Sequence, residues 1–274
     1  MLRPQGVAAD LRIGVGHRSQ LKVQENRLIN QLESHVARIF PEFMVVMKGL
    51  QSKTAVYLLE NYCLPEDIVG LGAEELAKVL KKASHGRLEE ERALELYEAA
   101  QSSIGLQQGK ATIRLAIRDL CEALSLIRKQ IKRQEKALKE QLKTHKEAAY
   151  LESIPNVGTI TAAEIIGETG GLGNFKNAHQ LEKLAGLNLY SSSSGTKQGR
   201  HRISKRGRGS LRKILYLAAL RMVKKKGIFH SHYQNHLDKG MKRVQALTVI
   251  AKKLFRTMFS LVKNEQKFEA SKVG

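Results

Sequence analysis

Apolar residues recur at three-and-four spacing over most of this chain, and that period alone predicts a helical protein. Leu11, Val15, Leu21, Leu28, Leu32, Val36 and Ile39 mark one face of a long helix ahead of Pro41, with Gly14 and Gly16 as weak points early in it. Residues 44–100 read as shorter helices. Ser52 caps one running to about Tyr62, Gly72 precedes another over Ala73–Lys82, and Ser84-His85-Gly86 breaks the chain before a third that begins near Arg87. Residues 110–149 carry the most regular stripe: Ile113, Ile117, Leu120, Leu124, Ile127, Ile131 and Leu138 form a heptad seam with Gln134 as its polar position. Such a seam pairs either with the first long helix folded back antiparallel or with another copy of the chain, and spacing leaves both open. Gln134 either sets the register of that pairing or is a tolerated interruption.

Past Tyr150 the pattern shortens. Ile154-Pro155-Asn156-Val157-Gly158 leads into a short helix over Thr159–Gly167, an arrangement that reads as a helix-hairpin-helix. In that reading the first N–H groups after Gly158 and Thr159 face outward and hold a phosphate oxygen without reading bases. The plain alternative is a helix-helix connection, which Pro155 and Gly158 serve equally well. A helix over Asn177–Ala185 stops at Gly186, and Ser210 is placed to cap a helix striped by Leu211, Ile214, Leu215, Ala218 and Met222. The last helix, about Met241–Val262, aligns Val244, Leu247, Ala251, Leu254, Met258 and Leu261. The fold class expected is all-α, with a helical and coiled-coil assembly region over 1–149 and a compact basic region over 150–274.

Composition narrows the function. A chain of 274 residues with 42% hydrophobics builds a real core, which excludes a disordered tail. Aromatics at 5%, no Trp and 4 Pro argue against a barrel or sandwich. Two cysteines, Cys63 and Cys121, give neither a disulfide framework nor paired metal-ligand spacing and point to a reducing, cytoplasmic setting. The longest apolar run is Ile214–Leu220, too short for a membrane partner. The net charge of +21 calls for a polyanion, and its distribution names one. Residues 151–274 hold 23 Lys and Arg against 7 Asp and Glu, and no acid occurs from Lys183 to Leu237. A solvated helical face would interleave Glu with Lys, as residues 128–147 do, so the tract reads as a phosphate-binding surface, with DNA the expected partner.

Inside that tract lies a Ser/Gly-rich stretch from Leu187 to Ser210. A linker has the same composition, but this one sits between two well-formed helices. A serine there would lie beside cations that bind a phosphodiester and offset the charge gained when it is attacked. His201 is the nearest candidate base. His230, His232 and His236 lie close in sequence, yet without a Cys or carboxylate set at ligand spacing no metal site is expected.

At these residues the chain resembles the bacterial insertion-sequence transposases that combine an N-terminal RuvC-like DEDD domain with a C-terminal serine-bearing domain, members of which are guided by a bridge RNA. The resemblance rests on Ile154 to Gly158, Leu184-Ala185-Gly186-Leu187, Ser193-Ser194-Gly195, Gly199 to Arg202, Ile203-Ser204-Lys205-Arg206-Gly207 and Leu211-Arg212. Residues 11–150 are similar to the family's coiled-coil section. The resemblance implies that Ser194, or failing it Ser193, becomes covalently joined to a DNA end, and that Arg200, Arg202, Lys205 and Arg206 hold DNA phosphates. Lys197, Arg208 and Arg212 extend the expected DNA contacts by their place in the tract. Leu189 stands where the family often has proline. Asp10, Asp67, Asp119 and Asp238 make no carboxylate pair for two metals, so the chain is expected to lack the DEDD half, with no cofactor of its own and Mg2+ only alongside that half. A guide RNA and a homo-oligomer through the coiled coil are the further partners expected. The competing function is a non-catalytic nucleic-acid-binding protein using helix-hairpin-helix and basic-loop contacts.

Overall fold

In a computed structural model that describes residues 4–88, 90–190 and 202–269, the chain is all-α apart from one two-residue strand pair. The helices are α1 (Val7–Ile39), α2 (Pro41–Val46), α3 (Lys53–Asn61), α4 (Pro65–Leu71), α5 (Ala73–Ser84), α6 (Glu90–Gln101), α7 (Lys110–Lys143), α8 (Ala148–Glu152), α9 (Thr159–Thr169), α10 (Ala178–Ala185), α11 (Gly209–Met222), α12 (His230–Asp238) and α13 (Arg243–Lys263). Strands β1 (Leu189–Tyr190) and β2 (Arg202–Ile203) pair antiparallel, Leu189 opposite Ile203 and Tyr190 opposite Arg202.

The chain divides into two compact units, Met1–Arg18 with Gln134–Gly274, and Ser19–Arg133. The first is called here the basic unit and the second the helical unit. Where the sequence suggests a division at 149/150, the basic unit takes in both ends of the long-helix pair, because Leu11, Val15, Leu138 and Leu142 are buried in the same core as α9, α11 and α13. The core of the helical unit is built on Leu32, Val36, Phe40, Phe43, Leu58, Leu76, Leu96, Ile117 and Leu124.

Local signals set most helix ends. Pro41 occupies the first turn of α2 and closes α1 at Ile39. The Ser52 side chain accepts from the Ala55 N–H at 3.0 Å and starts α3, as its residue type predicts. Two starts differ from expectation for stated reasons. The Ser84 hydroxyl accepts from the N–H groups of Arg87 and Leu88, which holds both in the turn and delays α6 to Glu90. Helix α4, absent from the sequence reading, is started by Pro65 and by the Asp67 carboxylate accepting from the Leu64 N–H at 3.0 Å. On α13, Leu247, Ala251, Leu254 and Met258 are buried as the stripe requires, Val244 is exposed, and Ile250 and Phe255 widen the buried face.

The heptad seam of α7 is spent on α1 of the same chain. In the basic unit, Gln134 donates to the Gly14 carbonyl at 3.2 Å and Arg18 bonds Glu135 at 2.8 Å. A β-carbon at Gly14 would stand 2.9 Å from the ends of the Leu138 and Gln134 side chains, which would have to shift to admit it. In the helical unit, Arg128 bonds Glu25 at 3.0 Å, and the Leu106 N–H donates to Arg38 at 2.8 Å. In the helical unit the partner number falls from 128 at Glu25 to 106 at Arg38, and in the basic unit from 138 at Gly14 to 135 at Arg18, which is the antiparallel sense. Ile117, Leu124, Ile131 and Leu138 are accordingly buried.

Candidate nucleic-acid interface

Three segments far apart in sequence build one pedestal in the basic unit. Helix α10 starts where the Asn177 side chain accepts from Gln180 and ends at Gly186, whose left-handed φ of 66° lets the Leu187 N–H return to Glu182 at 2.8 Å. The returning chain then lies against that end. Ser204 bonds Asn188 twice, backbone to backbone at 2.9 Å and hydroxyl to amide oxygen at 2.7 Å. The Lys205 N–H donates to Gly186 at 3.1 Å, and the Arg208 N–H donates to Leu184 at 2.7 Å. Arg212 reaches back from α11 to the Ala185 carbonyl at 3.0 Å. Gly207 sits where a β-carbon would meet the Leu184 carbonyl oxygen at 2.5 Å, so only glycine fits the approach. Lys205 takes a left-handed φ of 53°, a conformation uncommon without glycine.

On either side of residues 191–201, β1 and β2 pair on the pedestal, Tyr190 opposite Arg202. Ser193, Ser194, Lys197, Arg200 and His201 lie outside the described residues, and of Arg202 the backbone alone is described. Of the predicted cations, Lys205 and Arg206 are exposed on the pedestal. Arg208 and Arg212 turn inward. Arg208 donates to the Glu168 carbonyl and stands 3.6 Å from the Glu168 carboxylate, with its side chain 10% exposed. Burial first, then Arg12, lowers the proton affinity of that guanidinium, against the pull of Glu168. Ser210 does not cap α11 with its side chain; its hydroxyl donates instead to Glu168 at 2.6 Å, and Arg208 occupies the cap position. The Glu168, Arg208 and Ser210 clamp ties α9 to the foot of the loop. Nothing local in the sequence signals it, since 40 residues separate Glu168 from Arg208.

Gly158 is the cap residue of α9 and is exposed, with Ile154 and Val157 buried beneath it. The first helical bond runs from the Ala162 N–H to Gly158 at 3.0 Å, so the N–H groups before it have no partner within the helix. The Thr159 hydroxyl donates to Glu152 at 2.7 Å, which puts a carboxylate beside this helix start. Further along α9, burial raises the pKa of Glu164 above the usual carboxylate range although Arg18, Arg221 and Lys213 oppose it.

Two more buried carboxylates hold the unit together, and the sequence reading missed both. Glu182 is paired with Arg256 at 2.5 Å and Lys252 at 3.3 Å. Glu147 accepts from the Leu172 and Gly173 N–H groups at 2.8 and 2.9 Å. Of the three histidines, His230 bonds the Val223 carbonyl, and His232 lies 2.8 Å from the Lys253 ammonium. Burial, then Lys253 and His236, lowers the pKa of His232. Among the described residues no three His, Cys, Asp or Glu side chains converge as a metal site would require, and no helix is long and apolar enough to cross a membrane.

The charge follows the units. The basic unit holds 30 Lys and Arg against 11 Asp and Glu, net +19, whereas the helical unit holds 17 against 15. Residues 148–234, which run from α8 into α12 and include the pedestal, match the family described as transposase IS116/IS110/IS902. The chain is 25% identical over 266 residues to an uncharacterized insertion element IS116 protein of Streptomyces clavuligerus, covering 97% of this chain and 66% of that one. It is 22% identical over 265 residues to an uncharacterized insertion element IS110 protein of Streptomyces coelicolor, covering 96% and 65% respectively. A shorter stretch of 113 residues is 32% identical to the transposase for insertion sequence element IS1111A of Coxiella burnetii, 41% of this chain and 29% of that protein. The chain thus spans just under two thirds of the length of the first two relatives.

Proposed function

We propose that the protein works in DNA transposition, cutting and joining strands through a serine carried on the 191–201 loop. Ser194 is the nucleophile in this reading, with Ser193 as the fallback. Its oxygen attacks the phosphorus of a phosphodiester, a phosphoserine ester forms, and the bond to one deoxyribose oxygen breaks. The serine proton passes to a base, for which His201 is the nearest candidate, and the departing oxygen takes up a proton. Rejoining reverses the steps with a new strand end.

The observation that carries the reading is the pedestal: the loop's ends are closed by a strand pair beside exposed Lys205 and Arg206, in a unit of net +19. Cations fixed around a phosphodiester stabilise the charge that develops during attack. Lys205, Arg206 and the loop cations Lys197, Arg200 and Arg202 hold phosphates. The role of Arg208 and Arg212 is to fix the loop base, since their guanidinium groups bond Glu168 and the Ala185 carbonyl. The α8–α9 turn at Gly158 and Thr159 acts as a helix-hairpin-helix contact to a further phosphate, displacing the Glu152 carboxylate from Thr159. A guide RNA is the second nucleic acid of the reading.

The test offers the protein a suicide substrate of terminal element DNA with guide RNA and assays for a covalent protein–DNA adduct. The adduct is expected with the parent chain and Ser193→Ala and absent with Ser194→Ala. Equal yield from Ser194→Ala overturns the nucleophile assignment. Salt-dependent DNA binding without an adduct from any variant supports a non-catalytic binding protein instead.

A further inference from the structure

Two helix faces of opposite chemistry, one in each unit, are exposed to solvent. In the helical unit, α5 and α6 flank an open groove of about 910 Å³ lined by Ala73, Ala77, Leu88 and Leu94. Leu94 is 50% exposed. It lies between Glu90 and Glu91 on one side and Glu98 on the other, at the three-and-four spacing that puts all of them on one face of α6. Glu95 is tied to Arg92 at 2.7 Å, whereas Glu90, Glu91 and Glu98 have no ion-pair partner among the described residues. Across the groove Lys78 is already paired with Glu75 at 3.0 Å, and Lys81 lines the same side with Glu74. Helix α6 carries four Glu against one Arg, a concentration of negative charge in a chain of net +21.

In the basic unit, α11 shows the complement. Lys213, Leu217, Leu220 and Lys224 follow at four-three-four spacing along one exposed face, the last just beyond the helix end. Leu217 is 43% and Leu220 44% exposed. A lone exposed leucine needs no explanation. Two of them one turn apart, bracketed by lysines in a region without a single acid from Lys183 to Leu237, form an anchor stripe of the kind that seats in a helical groove.

We infer that α11 of one copy docks in the α5/α6 groove of a second copy, with Leu217 and Leu220 astride Leu94 and the flanking lysines against Glu90, Glu91 and Glu98. Charge decides the occupant. Copies of a chain at +21 repel one another, so they approach where one presents carboxylates and the other cations. The spans agree: the nine helical steps from Lys213 to Met222, where α11 ends, rise about 14 Å and the eight steps from Glu90 to Glu98 about 12 Å, a difference lysine side chains bridge. On α7 the seam residues Ile117, Leu124, Ile131 and Leu138 are buried within the chain, whereas Leu94, Leu217 and Leu220 are exposed. Each copy carries both halves of the contact, so docking either closes a pair or propagates. The inference does not depend on the chemistry of the 191–201 loop.

The experiment measures the mass of the full chain in solution without nucleic acid, over a range of protein concentrations and from about 0.1 to about 0.5 M NaCl. Expected is self-association that weakens with salt. The groove variant Glu90→Lys/Glu91→Lys and the stripe variant Lys213→Glu/Lys224→Glu each weaken it about tenfold or more. An equimolar mixture of the two regains association, because the reversed groove of one fits the reversed stripe of the other; unfolded chains would not do this. A monomer under every condition overturns the inference, as does association unchanged by both reversals. Loss of DNA affinity by the stripe variant with unchanged mass overturns it too, and assigns α11 to nucleic acid alone.

Discussion

A β-carbon at position 207 would stand 2.5 Å from the Leu184 carbonyl oxygen and 2.6 Å from the Gly186 nitrogen, both backbone atoms that cannot swing aside. Gly207→Ala must therefore push the loop base off the end of α10, at a cost of about 2 kcal/mol. Two residues on, Gly209 opens α11 with its nearest neighbour 3.7 Å from the same hypothetical carbon. Gly209→Ala is expected to gain about 0.5 kcal/mol by narrowing the unfolded ensemble. Thermal or denaturant unfolding of the two variants reads opposite signs, and equal signs would refute the close approach at Gly207. The same residues show how far the site was legible. The sequence marked Leu184 to Gly186, Ile203 to Gly207 and Leu211 to Arg212 as separate motifs, and the contacts that make them one object are long-range. Ser210 is the counterexample: its residue type suggests a cap, but the Glu168 carboxylate lies close enough to take its hydroxyl.

Among elements, the α1/α7 pair shows where periodicity succeeds and where it stops. Spacing identifies the seam residues of α7, and it does so because burial on one face of a helix has a fixed period. It is silent on the partner, since a helix of the same chain and one from another copy bury the seam equally well. The structure decides for the chain itself through complementary detail: Gln134 finds the Gly14 carbonyl, and Glu25 finds Arg128. Leu138→Ala should then cost about 3 kcal/mol, as measured by denaturant midpoints at a single low protein concentration. Leu115→Ala on the same helix, 61% exposed, should cost close to nothing. Comparable losses at both positions would contradict the pairing.

At the scale of the whole molecule, charge is partitioned rather than spread, with net +19 in the basic unit and 17 cations against 15 acids in the helical unit. Binding to duplex DNA should weaken steeply with salt, with the logarithm of affinity falling by about 0.9 per phosphate contact for each unit of log salt. Lys205→Ala and Arg206→Ala should each flatten that slope by about 1, without regard to DNA sequence. Charge removal at Lys48 and Lys53 in the helical unit should leave the slope unchanged. A titration of affinity against salt for these variants checks the division, and equal flattening from both units would show that the polyanion reads total charge alone.

Taken alone, the sequence determined the helical class, most helix ends, the apolar faces and the sign and place of the charge excess. These follow from propensities, capping side chains and composition within a few residues of each other. Tertiary structure alone decided that the α7 seam is used up inside the chain, that Glu168 clamps Arg208 and Ser210, that Glu147 and Glu182 are buried with partners, and that α10, the loop base and α11 meet at Gly186 and Gly207. Each of those joins groups dozens of residues apart, and the free energy that selects them arises only once the backbones have been brought together.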